Sequence, residues 1–443
     1  MKRILFLLLV CIQMSVAQGY TDNLLTSEEL KADADYYFKT LYDRHPNPYY
    51  YYSLEEFEDI KNKIYSQLNQ PLTKEQFAWI ICEINSYVDR HSLIDEVSPD
   101  NLQNDFFQEK VNLFPVVKIK ENKLFLADDL KDNITEINGM PVSEILSDNK
   151  KYFNRKLPHE PNIRMMESGF PFFLYNKYKF TSPYHVKFGS SNIIKTLDGM
   201  SLDEYLVRSF GTINVRGARK NNMDSLKIYS YKVYPNSSVA IFYINTFNGG
   251  SKDEFDNVLK KFTEEVNNQN IKCIFYDLSK NRGGQFGGYE ALDIIKHDTV
   301  YFRRTEIARH DGFNRKTDIN EIVLMPNFDI VIPQDRKLFV FQSDYTMSRG
   351  DYFCRIVKEN NLGILVGENT REPTVAFSWT NHYEMPNSKI GFNCATTLVD
   401  FSDYFNSETL NPDIYWDIRH NREFTEKELI EIINHYKKNV QIK

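Results

Sequence analysis

A chain of 443 residues, 42% hydrophobic and 26% charged, has material for two or three packed domains, which excludes wholesale disorder. A net charge of −7 argues against a nucleic-acid footprint, and no long single-sign block supplies a polybasic membrane anchor. The 28 Tyr and 32 Phe imply an aromatic-rich interior and would suit an aromatic-lined groove.

The first residues carry a basic start, an apolar run from Ile4 to Ile12 and a small-residue end at Ser15-Val16-Ala17. This reads as a secretory signal over residues 1–18, too short to span a bilayer. Val10 is bulkier than the small residue a lipoprotein site needs before Cys11. The mature protein is therefore expected to be exported, periplasmic or extracellular, with no membrane span. Cys82, Cys273, Cys354 and Cys394 each lie among apolar neighbours and read as buried free thiols. With no CxxC pair or Cys/His cluster, no metal or cofactor is expected.

Residues 19–105 read as a helical domain. Leu30, Ala34, Tyr37, Phe38 and Leu41 recur at helical spacing up to His45-Pro46, and Ser53 with Glu56 and Thr73 with Gln76 form capping boxes for two more helices. The last runs into Asp89-Arg90-His91-Ser92, so His91 stands where helix gives way to extended chain. By itself it could be an ordinary capping or partly exposed histidine. Residues 106–200 read as a small β-rich module, with alternating strands and the Asn138-Gly139 hairpin signal. Residues 154–235 give a mixed helix and strand pattern.

From Ser238 the grammar sharpens into an α/β layered domain, placed at residues 201–443. Val239–Ile244 is a buried strand, a helix follows to Val266, and Cys273–Leu278 is the next strand. It leads into the glycine-rich Asn281-Arg282-Gly283-Gly284, with a helix after it. The glycine pattern is neither GxGxxG nor GxxxxGK[ST], so a nucleotide site is not indicated. Such a turn serves either a loop that needs positive φ or the approach of bare backbone N–H groups to a reacting carbonyl. Phe339–Gly367 then reads strand, sharp turn, helix, strand, with Ser348 on the corner at the helix N-terminus. There a hydroxyl is exposed and developing negative charge is favoured. Ser348 with Asp351 also fits a capping box, the alternative reading.

Five segments, in order, carry a resemblance. Asp277-Leu-Ser-Lys-Asn281-Arg-Gly283-Gly284 resembles the D-L-R-x-N-x-G-G signature of the tail-specific serine peptidases, which include C-terminal processing enzymes and the tricorn core. Thr346-Met-Ser348-Arg-Gly-Asp351 is similar to their S-A-S-A-x-E segment and Leu365-Val-Gly367-Glu368-Asn-Thr370 to V-G-E-x-T. Asp89-Arg-His91-Ser92 resembles D-G-H-T of the tricorn-like branch, and Asn411-Pro412-Asp413-Ile414 the late x-P-D-I. The resemblance implies an α/β fold with a ClpP/crotonase-like layered catalytic domain, an N-terminal helical segment and a PDZ-like module. It implies Ser348 as nucleophile, His91 as general base, and the N–H groups of Gly283 and Arg349 as oxyanion hole. Glu408 is the candidate orienting acid, and Gly284 and Thr370 are candidate substrate contacts.

The chain departs from the family at Pro373, which takes the place of the processing branch's lysine base, at Ser279 and at Arg349. A Ser–His mechanism is thereby expected, since a serine hydroxyl needs a base to become nucleophilic. The expected activity is serine endopeptidase action on unfolded or C-terminal peptide segments, with peptide or protein as partner. A non-catalytic scaffold binding peptide or an apolar ligand is the alternative, and an esterase a third reading.

Overall fold

The computed structural model describes residues 24–94, 112–154, 156, 159–191, 193–210, 228–247, 252–284, 288–295, 298–325, 336–418 and 423–440. The expected signal segment and Cys11 lie outside these residues. Helices α1 (Ser27–Arg44), α2 (Leu54–Ser66) and α3 (Lys74–Ile81) each start at a complete capping box, on Thr26, Ser53 and Thr73. A 3₁₀ turn, Cys82–Ser86, ends the third. Leu30, Tyr37, Phe57, Ile64 and Phe77 bury the apolar faces in one core, which also takes in Phe392 and Cys394 from far along the chain.

An antiparallel sheet follows. Strands β1 (Val117–Lys120), β2 (Lys123–Leu126), β3 (Asp129–Ile137) and β4 (Met140–Pro141) are joined by β5 (Tyr184–Phe188) and β6 (Ile194–Leu197) in the order β1-β2-β3-β5-β6, with β4 on β3. Asn138 and Gly139 both take positive φ, 48° and 82°, as a two-residue hairpin requires. Helices α4 (Val142–Asn149) and α5 (His159–Tyr178) cover the sheet. Pro171 inside α5 breaks the helical signal, which is why the sequence pattern there looks mixed. Helix α6 (Leu202–Phe210) packs Leu202 and Tyr205 on Leu113 and Phe172. The second unit therefore runs past the expected boundary at residue 200.

The third unit is layered. Strands β7 (Tyr229–Tyr234), β8 (Val239–Ile244), β9 (Cys273–Asp277), β12 (Lys337–Gln342), β13 (Ile364–Gly367) and β16 (Ile414–Tyr415) form one sheet in the order β16-β13-β12-β9-β8-β7. All its pairings are parallel except β7 on β8. Strand β8 is buried throughout, as a parallel sheet covered on both faces requires. Its even residues, Ala240 and Phe242, pack under α7 (Lys252–Asn268) and α9 (Arg349–Glu359), and α8 (Glu290–Asp293) adds to that face. Its odd residues, Val239 and Ile241, pack under α10 (Glu426–Val440).

A second, antiparallel sheet holds β10 (Val300–His310), β11 (Phe313–Leu324), β14 (Val375–Glu384) and β15 (Gly391–Asp400) in the order β11-β10-β15-β14. It joins the N-terminal helices to the layered unit. Phe392 on β15 is fully buried, with Tyr37 at 5.0 Å and Tyr383 at 5.5 Å between ring centroids. Cys82, Cys354 and Cys394 are buried free thiols as expected, while Cys273 is only half-buried.

Truncating Phe392 to Ala opens a cavity where the helical unit meets β15. A loss of about 3–5 kcal/mol in unfolding free energy is expected. Chemical denaturation of Phe392→Ala checks it, and a change below 1 kcal/mol contradicts the packing described.

Candidate active site

Strands β9 and β12 are parallel neighbours, pairing Val340 with Tyr276 and Phe341 with Asp277, so the loops that leave their carboxyl ends emerge side by side. One is the glycine turn, the other the Ser348 corner. Backbone hydrogen bonds tie them: Met347 N–H donates to Asn281 O at 3.0 Å and Leu278 N–H to Phe341 O at 3.1 Å. The Thr346 hydroxyl donates to Leu278 O at 2.9 Å. A Cβ on Gly283, whose φ is +87°, would stand 2.7 Å from Ser348 Cβ and 3.0 Å from Arg349 N. A Cβ on Gly350 would meet Asn281 O at 2.8 Å. Both glycines are needed for this approach.

Ser348 adopts φ 49°, ψ −124°, an unusual backbone state for a non-glycine residue. It is exposed and makes no side-chain cap bond. The capping-box reading is thereby overturned. Asp351 turns inward instead, where it is fully buried against Arg355 Nε at 2.6 Å and accepts the Thr370 hydroxyl. Burial raises its carboxyl, partly countered by Arg355 and Thr370. Thr370, the candidate substrate contact, is itself buried, and its hydroxyl braces the base of α9.

The neighbouring amides differ. Gly283 N–H already donates to Asn281 Oδ1 at 2.8 Å. Arg349 N–H, at the first helical position, has no acceptor among the described residues. Gly284 is half-buried, and its carbonyl accepts from Arg349 Nε at 3.3 Å. Asn281, which the motif names but gives no role, is fully buried and also donates from Nδ2 to Ile244 O at 2.9 Å. It pins the glycine turn to β8.

His91 follows helix α3 and its 3₁₀ turn. Ser92 Oγ accepts from Ala395 N–H at 3.0 Å, and Leu93 O from Asn393 N–H at 2.9 Å, so this segment runs along β15. Asp89 Oδ1 accepts His91 N–H at 2.7 Å and lies 3.8 Å from its Nδ1. Asp89 Oδ2 takes His45 Nε2 at 2.8 Å in a buried pair. Asn47 N–H donates to His45 Nδ1 at 3.1 Å, so the ring is held by both nitrogens with Nε2 turned to Asp89. Burial pushes the Asp89 carboxyl up, but His45, His91 and Ser92 outweigh it and hold the group below the usual range.

Arg371 connects the two halves. Its carbonyl accepts from Arg90 Nη1 at 3.3 Å, its N–H donates to Thr346 O at 3.4 Å, and its Nη1 reaches Met347 Sδ at 3.7 Å. The His91 and Ser348 loops thus border the same residue. Glu408 is exposed, and its backbone carbonyl accepts Thr374 N–H at 2.7 Å, three residues beyond Arg371. The carboxylate with a measured approach to His91 is Asp89. Neither Asp89, Asn281 nor Arg371 was singled out for a role from the sequence, since each acts through tertiary contacts.

Behind the corner, Arg164 from α5 bonds Asp344 Oδ2 through Nε at 2.9 Å and lies 3.8 Å from Glu368 Oε2. Burial, with Asp344 and Asp417 adding to it against Arg164, pushes the Glu368 carboxyl up to about 6. Among the described residues no group of three or more His, Cys, Asp or Glu could hold a metal ion, and no helix is long and apolar enough to cross a membrane.

Residues 238–415 match Peptidase family S41. Four of the five motif segments lie within that match, so the layered unit resembles a serine-type peptidase domain. Among solved structures, mature CPAF complexed with lactacystin aligns with TM-score 0.56 at 12% identity, covering 94% of this chain and 98% of that one. A CPAF mutant gives TM-score 0.57 at 10% identity over 91% and 94%. The photosystem II D1 C-terminal processing protease gives TM-score 0.47 at 12% identity over 88% and 93%. The CPAF structures share the α/β fold. No curated protein sequence matches the chain.

Two expectations follow. Gly283→Ala should destabilise more than Gly312→Ala, because the two share φ near +85° but only Gly283 is crowded. Left-handed alanine alone costs ~1–2 kcal/mol, so urea melts of both variants isolate the extra cost of the approach to Ser348; equal losses contradict it. Glu368 has a folded pKa above its usual 4.5. Its contribution is therefore fully present below pH 4.5 and lost as pH rises through about 6. Glu368→Gln should gain up to ~2 kcal/mol over wild type at pH 8, and that gain should vanish near pH 4; a pH-independent difference contradicts it.

Proposed function

We propose that the protein is an exported serine endopeptidase that hydrolyses peptide bonds through an acyl-enzyme, acting on unfolded or C-terminal peptide segments. The observation that carries this reading is the exposed, uncapped Ser348 at a helix N-terminus, in an unusual backbone state and pressed against Gly283. A serine that merely capped its helix would spend its hydroxyl on the helix amides and would need no glycine against its Cβ.

In the mechanism, Ser348 Oγ attacks the substrate carbonyl while His91 takes the hydroxyl proton. The C–N bond breaks as that proton passes to the leaving amine. Water, deprotonated by His91 in turn, then releases the acid and restores the hydroxyl. Asp89, which holds the His91 backbone, favours the imidazolium that forms; Glu408 is the outer candidate for that orienting role. Arg349 N–H serves as one oxyanion donor. A charged oxyanion is a stronger acceptor than an amide oxygen, so the Gly283 bond passes from Asn281 to the substrate as charge develops. Export rests on the signal-like residues 1–18, and a PDZ-like role for the β-rich unit would deliver peptide as an added strand.

Peptide hydrolysis by wild type, Ser348→Ala and His91→Gln tests the reading, with circular dichroism confirming each fold. Each substitution should lower kcat by about 10³-fold or more. Unchanged turnover in Ser348→Ala would contradict the mechanism. A folded wild type that binds peptides without cleaving them would favour the binding-scaffold alternative.

A further inference from the structure

The residue after the candidate nucleophile is an arginine where the resembled family carries a small residue, and its side chain is held. Arg349 Nε donates to Gly284 O at 3.3 Å, and its Cζ lies 5.7 Å from the Tyr289 ring centroid, the aromatic face supporting the planar cation. With Nε occupied, the Nη1 and Nη2 pair makes no bond to any acceptor among the described residues. Those two donors form a fork on the residue that follows the exposed Ser348, its Nε held on the glycine turn.

A second cation stands in the facing loop. Arg282, exposed, immediately precedes Gly283, so each of the two loops of the site carries a guanidinium next to its working residue. Nearby carboxylates have other partners. Asp344 is bonded to Arg164, Glu321 pairs with Arg304 at 3.0 Å, and Glu290 pairs with Lys252 at 3.3 Å. In a chain with net charge −7, two guanidiniums on the two loops that meet at Gly283 and Ser348 favour an anionic group there.

We infer that Arg349 is a specificity-determining residue that selects peptides carrying a carboxylate close to the scissile bond, bound end-on by Nη1 and Nη2. A guanidinium fork matches the two oxygens of a carboxylate, and a bond of this kind discriminates against the isosteric amide, which offers one oxygen and no charge. The carboxylate comes from an Asp or Glu side chain or from the C-terminus of the substrate. This inference rests on Ser348 acting as nucleophile.

The test uses the full-length mature protein and matched peptides in which one Asp is walked across either side of the cleaved bond. Each is paired with its Asn counterpart and is made with a free or an amidated C-terminus. The quantity read is the kcat/KM ratio of acid to amide form. Wild type should show a ratio of roughly ten or more at one position. Arg349→Gln, which keeps a donor for Gly284 O, should bring that ratio close to one, and Arg349→Glu should invert it in favour of a Lys-bearing peptide. A ratio that follows the Asp-to-Asn change assigns the carboxylate to a side chain, and one that follows amidation assigns it to the chain end. If wild type and both variants share one ratio while Ser348-dependent cleavage continues, the inference is overturned and the peptidase reading stands. If no peptide is cleaved in a Ser348-dependent way, the peptidase reading falls and takes the inference with it.

Discussion

The site depends on one close approach, that of the glycine turn after β9 to the corner after β12. Parallel pairing brings both loops to the same edge of the sheet, but pairing alone would leave side chains between them. Gly283 and Gly350 remove those side chains, and Asn281 fastens the turn through its backbone and its amide. The result is a serine that cannot reach its own helix amides and offers its hydroxyl to solvent. A strained backbone state costs on the order of 1–3 kcal/mol and persists only where surrounding contacts over-determine it. Here the buried Asp351–Arg355 pair and the Thr370 hydroxyl anchor the helix that the corner must enter.

The histidine is supplied by a different solution to the same problem of holding a loop still. The 89–94 segment has no sheet of its own, so it borrows the edge of β15, where Ser92 and Leu93 accept from Ala395 and Asn393. The aromatic core around Phe392 fixes the helices above it. Arg371 then touches both the His91 and the Ser348 loops, which makes the seam between helical and layered units the organising feature of the site. The Arg164–Asp344–Glu368 group extends that seam to the β-rich unit, so all three units meet behind one turn.

What the sequence made legible was whatever local chemistry dictates. Capping boxes at Ser53 and Thr73, the Asn138-Gly139 hairpin and the buried runs of β8, β9 and β12 were all readable because each obeys a short-range rule. The 20-residue helix α5 escaped because Pro171 interrupts its period. The capping-box alternative at Ser348 fails for an instructive reason: its residue pattern is right, but tertiary contacts claim Asp351 and redirect the serine. Thr370 looked like a contact because of its motif, although its hydroxyl is spent on that same carboxylate. Asp89 owes its place to His45, 44 residues away, and Arg371 to Arg90, 281 residues away, and no local pattern encodes that. The motif order, by contrast, marked both the glycine turn and the corner, because close backbone approach leaves glycine no substitute.

The most direct measurement of the central claim is active-site phosphonylation. The folded protein is treated with a fluorophosphonate at neutral pH, and the modified residue is located by mass spectrometry. The account predicts a single adduct on Ser348, formed far more slowly when His91 is replaced by Gln. An adduct on a different serine, or a folded protein that takes none, would contradict it.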